Sequence, residues 1–95
     1  GPAYVFLLAE TMTQAGVEAG LSPEMATQLA VQTVAGSGEL LGQSDDDATK
    51  LRENVTSPGG TTHAALSVLM GDGGLQELMS EAIAKAVARS KDLAG

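Results

Sequence analysis

Tyr4-Val5-Phe6-Leu7-Leu8 is an unbroken apolar run at the front of a stretch, Ala3 to Ala19, made largely of helix formers. Pro2 suits the first helical turn, where its missing N–H costs nothing, and Gly20 is the natural stop. Gly16 is the one weak point inside. Five successive apolar residues go round more than a full turn, so they cover more than the single stripe that a helix on a small monomer needs. A chain of 95 residues buries only roughly 60–65% of its unfolded surface. Two covers are open to the run: this helix is central and surrounded by its own chain, or a second subunit packs on it. Few helices are available for the first arrangement, so the run predicts a homodimer with an apolar, interleaved helical interface.

The rest of the chain also reads as helix. "SPEM" sets Ser22 as N-cap, Pro23 at the first helical position and Glu24 near the positive end of the dipole, opening a second helix to about Leu41. Asp45 to Asp47 offer caps for a short third helix through Thr49, Leu51 and Asn54. A fourth helix is predicted from about Thr61 to Met70, and "GDGG" at Gly71 to Gly74 breaks it. Leu75, Leu78, Met79, Ala82, Ile83, Ala86 and Val87 then trace one face of a fifth. No segment alternates as a strand does, so the fold class is all-α, with about five helices. The only aromatic residues are one Tyr and one Phe, which leaves Ala, Leu, Val and Met to pack the core.

Twelve acidic against five basic residues give a net charge of −7. That charge opposes attraction to nucleic acid or to anionic membranes, since both need a basic surface. Without cysteine there is no disulfide, no thiolate catalysis and no Cys-based zinc site, a composition that fits the reducing cytoplasm. No secretory signal or membrane span is visible. The chain opens without an initiator Met and enters its apolar run at once, which predicts a domain of a longer protein; Gly1-Pro2 also fits the remnant of a protease site.

Between the third and fourth helices stands "VTSPGGTTHAAL", Val55 to Leu66. Pro58 lacks an N–H, while Gly59 and Gly60 can adopt positive φ and let other atoms approach the main chain. The amides of Gly60, Thr61 and Thr62 fall at the mouth of a helix, where unpaired N–H groups and the dipole favour an anion. A carboxylate or phosphate site follows. An equal alternative is a capped turn in which Ser57 or Thr61 satisfies the same donors. Ser57 has no base beside it and no nucleophile elbow around it, so it is not read as a nucleophile.

Other signals have plainer readings. "GSGELLG" at Gly36 to Gly42 has the wrong spacing and no preceding strand for a dinucleotide fingerprint, and reads as helix packing or a helix irregularity. Asp45-Asp46-Asp47 lacks the ligand spacing of a calcium loop and reads as a solvated cap. Asn54-Val55-Thr56 matches a glycosylation sequon without secretory context. His63, the sole histidine, has no second ligand type beside it and is read as incidental.

"GPAYVFLLAETMTQAGVEAGLSPEMATQLAVQTVAGS", "LRENVTSPGGTTHAAL" and "LMSEAIAKAVARSKDLAG" together resemble the C-terminal domain of pyrroline-5-carboxylate reductase over nearly the whole chain. The resemblance implies an interlocked dimerisation domain of the 6-phosphogluconate dehydrogenase C-terminal-like type. Residues 1–95 would serve dimerisation and substrate binding, and the family's N-terminal Rossmann domain is absent from this chain. The family reduces 1-pyrroline-5-carboxylate to L-proline with NADPH or NADH, the last step of proline biosynthesis. By the same resemblance Ser57 donates its hydroxyl, and Gly60, Thr61 and Thr62 their amides, to the substrate carboxylate. Thr62 is the catalytic position, its hydroxyl meeting the ring nitrogen. The resemblance assigns no cofactor-binding or metal-binding residue to this chain. NADP or NAD belongs to the full-length enzyme, and a fragment of this extent is expected to bind none and to be inactive alone. Family members are homodimers that also form larger rings. The reading from a different class is a freestanding helical oligomerisation or anion-binding module without redox activity.

Overall fold

The computed structural model describes residues 1–95 and contains five helices and no strand: α1 (Pro2–Glu18), α2 (Pro23–Gln43), α3 (Ala48–Asn54), α4 (Thr61–Leu69) and α5 (Leu75–Ala94). The fold is all-α, as the sequence predicts, and the helix ends fall within a residue or two of their expected places. The chain divides into two units, Gly1–Ala48 and Thr49–Gly95.

In the first unit α1 and α2 pack as a helical hairpin. Gly20, at φ +112, ends α1 in the left-handed region that favours glycine. The amides of Gly20 and Leu21 donate to the carbonyls of Val17 and Gly16, both at 3.0 Å, the pairing of a Schellman stop. Ser22 then starts α2 by accepting the Met25 amide on its hydroxyl at 3.2 Å.

Gly16, the weak point of α1 by propensity, sits where the two helices come closest. A Cβ there would lie 3.2 Å from the Cβ of Ala26 and 3.4 Å from Leu21 Cδ1. The contact uses Ala9, Thr13, Gly16 and Val17 of α1, spaced along one face and partly covered, against Ala26, Ala30 and Val34 of α2. Ala26 and Ala30, 2% and 4% exposed, are the only buried residues of the chain. The expectation of a core built from Ala, Leu, Val and Met therefore needs correcting for the single chain. Small residues alone form its interior, because only they let the two helix backbones approach this closely. Tyr4, Val5, Phe6, Leu7 and Leu8 are all exposed, Phe6 by 69%.

The "GSGELLG" stretch lies inside α2 as continuous helix, and apart from the helix's own neighbouring backbone nothing comes within 4 Å of a Cβ built at Gly36, Gly38 or Gly42. The second unit holds the remainder of α3 together with α4 and α5, and no residue in it is buried. Leu75, Leu78, Ile83 and Val87 of the predicted α5 face are exposed, with Met79 partly covered. Large apolar side chains stand exposed along both units, from Tyr4 to Leu93. No helix is long and apolar enough to cross a membrane.

Candidate functional site

The loop from Val55 to Gly60 is fixed at both ends by hydrogen bonds. On the α3 side, the Val55 and Thr56 amides donate to the carbonyls of Arg52 and Glu53 at 3.3 and 3.2 Å. The Thr56 hydroxyl donates to the Arg52 carbonyl at 2.6 Å. On the α4 side, the Gly60 amide donates back to the Ser57 carbonyl at 3.0 Å. With Pro58 second, and Gly59 third at φ +73, Ser57 to Gly60 has the signature of a type II turn. Gly59 is the position that needs glycine, since an L side chain is disfavoured there.

Gly60 is the N-cap of α4 in extended conformation, and no side chain caps the helix. The bland alternative, in which Ser57 or Thr61 caps, is thus not adopted. The first bond of α4 runs from the Ala64 amide to the Gly60 carbonyl at 3.1 Å, which leaves the amides of Thr61, Thr62 and His63 outside the helical ladder. No acidic residue stands in the first turn. Ser57, Thr61 and Thr62 are exposed, and neither their hydroxyls nor the Gly59 amide engages another group of the chain. The loop thus gathers three small hydroxyls and four amides around a positive helix end, all open to an acceptor from outside.

Gly60 stands differently from the other sequence-predicted donors. Its amide already serves the turn, so a ligand can use it only as a shared donor. A Cβ at Gly60 would sit 3.2 Å from the Ser57 carbonyl oxygen, so glycine there also keeps the turn tight. Two further amides, those of Gly59 and His63, join the set. The signal for Gly59 was the Pro-Gly turn itself, which ties up the fourth residue's N–H and leaves the third's free, and for His63 its place in the first turn of the helix.

On another face of α4, Arg52, Thr56, His63, Leu66 and Met70 help to line an open groove of about 400 Å³. Thr61 and Thr62 do not line it, and His63 is the one residue of the α4 mouth that does. No three side chains of the His, Cys, Asp or Glu type gather where they could hold a metal, and the three aspartates at Asp45 to Asp47 are no exception. Ser44 instead accepts the Asp46 amide on its hydroxyl at 3.0 Å.

Comparison with known proteins shows which family the chain belongs to. The family model described as "Pyrroline-5-carboxylate reductase dimerisation" matches residues 1–93. A pyrroline-5-carboxylate reductase of Pseudomonas aeruginosa is 43% identical over 94 residues, covering 99% of this chain and 34% of the relative. Among solved structures, Plasmodium falciparum pyrroline carboxylate reductase with NADP bound superposes with a TM-score of 0.92 at 37% identity, over 100% of this chain and 38% of that one. A pyrroline-5-carboxylate reductase from Coxiella burnetii gives 0.91 at 43% identity, over 98% and 34%. The chain spans about a third of the length of the curated relatives it matches.

Proposed function

The chain belongs to the pyrroline-5-carboxylate reductase family, matching its dimerisation domain, and from that membership we propose that it is the substrate-binding and dimerising part of an enzyme that reduces 1-pyrroline-5-carboxylate to L-proline. The observation that carries the reading is the mouth of α4, where hydroxyls and amides without internal partners surround a helix end that favours an anion.

In this reading Ser57 donates its hydroxyl to the substrate carboxylate. The amides of Thr61 and Thr62 add main-chain bonds, and Gly60 contributes a shared donor while holding the turn. Thr62 also turns its hydroxyl to the ring nitrogen, so the carbon of the C=N bond faces the reductant. NADPH or NADH would supply the hydride to that carbon, and the ring nitrogen would take up one proton from solvent, which balances the reduction to L-proline. No strand precedes a glycine-rich turn here, so these residues do not fit a dinucleotide cradle, and the nicotinamide belongs to another part of the full-length protein. What this chain supplies is positioning, which suits a reaction that needs neither a protein nucleophile nor a metal.

The exposed run on α1 supports a homodimer in which a second copy covers Tyr4 to Leu8, and such dimers can assemble further into a ring. The cysteine-free composition suits a cytoplasmic enzyme. Replacing Leu8 by Asp should abolish or strongly weaken association, because burying an unpaired carboxylate costs several kcal/mol; an intact dimer by light scattering would remove α1 from the interface. Thr62→Ala in the full-length protein should lower kcat about ten- to a hundredfold while leaving the melting curve in place, since Thr62 is exposed in a first helical turn. The direct test is turnover of 1-pyrroline-5-carboxylate by the full-length protein with each reduced nicotinamide. Oxidation of neither would overturn the reading.

A further inference from the structure

The sequence assigns Thr56 no role beyond a place in the loop and in a sequon, yet its hydroxyl makes the loop's shortest tie, 2.6 Å to the Arg52 carbonyl. We propose that Thr56 is a positioning residue for the substrate carboxylate, anchoring the start of the loop to α3 so that Ser57 stands at the mouth of α4. The inference rests on the reading that Ser57 grips that carboxylate.

The connectivity supports it. Between Asn54, the last residue of α3, and Thr61, the first of α4, the hydrogen bonds fall into two groups. One is the Ser57–Gly60 turn, joined to α4 by the bond from the Ala64 amide to the Gly60 carbonyl. The other is the pair of carbonyls at the end of α3, where Arg52 accepts both the Val55 amide and the Thr56 hydroxyl. The amide bonds there are long, at 3.3 and 3.2 Å, and the hydroxyl bond is short. Thr56 is therefore the tightest link between α3 and the residue that follows it, which is Ser57. Its hydroxyl proton is committed inside the chain and cannot be donated to a carboxylate, so its effect on binding passes through Ser57.

A contact shared equally by bound substrate and transition state changes KM and leaves kcat in place. In the full-length enzyme Thr56→Val, which keeps the branched shape and loses the hydroxyl, should raise KM for 1-pyrroline-5-carboxylate about three- to tenfold at unchanged kcat. Thr56→Ser should restore the parent KM. Ser57→Ala should itself raise KM, and adding Thr56→Val to it should raise KM no further, since the group being positioned has gone. A purely structural role would instead lower kcat through loss of folded enzyme, leave KM alone and add to Ser57→Ala. Unchanged KM in Thr56→Val beside a raised KM in Ser57→Ala overturns the role of Thr56 alone. Unchanged KM in Ser57→Ala overturns the carboxylate reading and this inference with it. Should Thr56→Val not fold, Thr56→Ser and Thr56→Ala decide the matter: a Ser variant no better than Ala contradicts the proposal.

Discussion

Two helices of the second unit begin in nearly the same way and end up with opposite chemistry. Ser57-Pro58-Gly59-Gly60 leads into α4, and Gly71-Asp72-Gly73-Gly74 leads into α5. In each, the third residue is a glycine at positive φ, +73 and +71. The fourth is an extended glycine N-cap whose amide returns to the first residue's carbonyl at 3.0 Å. Neither helix has a side-chain cap on its N-cap residue. The difference lies in the first turn. At α5 the Glu77 carboxylate reaches back to accept the Gly73 amide at 2.9 Å, so the chain sets its own anion over the positive helix end. At α4 the equivalent position is His63, the equivalent Gly59 amide has no acceptor in the chain, and hydroxyls of Thr61 and Thr62 replace Leu75 and Gln76. The α5 start thus supplies its own carboxylate to an amide whose counterpart at α4, that of Gly59, has no acceptor within the chain.

That pairing can be broken from either side. The largest effect is expected at Gly74, where a Cβ would collide with the Leu69 carbonyl oxygen and come within 2.7 Å of that of Gly71. Gly74→Ala should cost about 2–4 kcal/mol, read as a lowered urea midpoint at fixed protein concentration, whereas Gly60→Ala, facing a 3.2 Å contact, should cost clearly less. Next comes His63→Glu, which copies the α5 arrangement onto α4. An internal carboxylate would then occupy the place proposed for the substrate's, so KM should rise about tenfold or more while the domain becomes no less stable. A parent-like KM in that variant would mean that the substrate's acid is held elsewhere. The smallest effect belongs to Glu77→Gln, which should lower stability by about 0.5–1 kcal/mol and leave KM untouched.

The sequence disclosed the helices because their ends are written in local chemistry: Gly20 at a left-handed stop, Ser22 before Pro23, Pro58-Gly59 ahead of Thr61. It disclosed the donor-rich loop for the same reason. Periodicity showed less about packing. It marks which faces need a cover, but not what supplies it, so Leu75, Leu78, Ile83 and Val87 were legible as a face and yet stay exposed in the single chain. The interior proved to be alanine against glycine, because helix approach at Gly16 is set by distances that no residue pattern states. The hydrogen bond that ties up the Gly60 amide was within reach of the Pro-Gly signature. The likeness of "GDGG" to "SPGG" was hidden because Asp72 and Pro58 share a turn geometry and not a residue type.

The central claim is that the mouth of α4 holds the substrate's acid, and the most direct measurement is a crystal structure of the full-length protein with L-proline bound. The account predicts carboxylate oxygens about 2.7–3.1 Å from the Ser57 hydroxyl and the Thr61 and Thr62 amides, with the ring nitrogen beside the Thr62 hydroxyl. Proline seated elsewhere, with those amides facing only water, would contradict it.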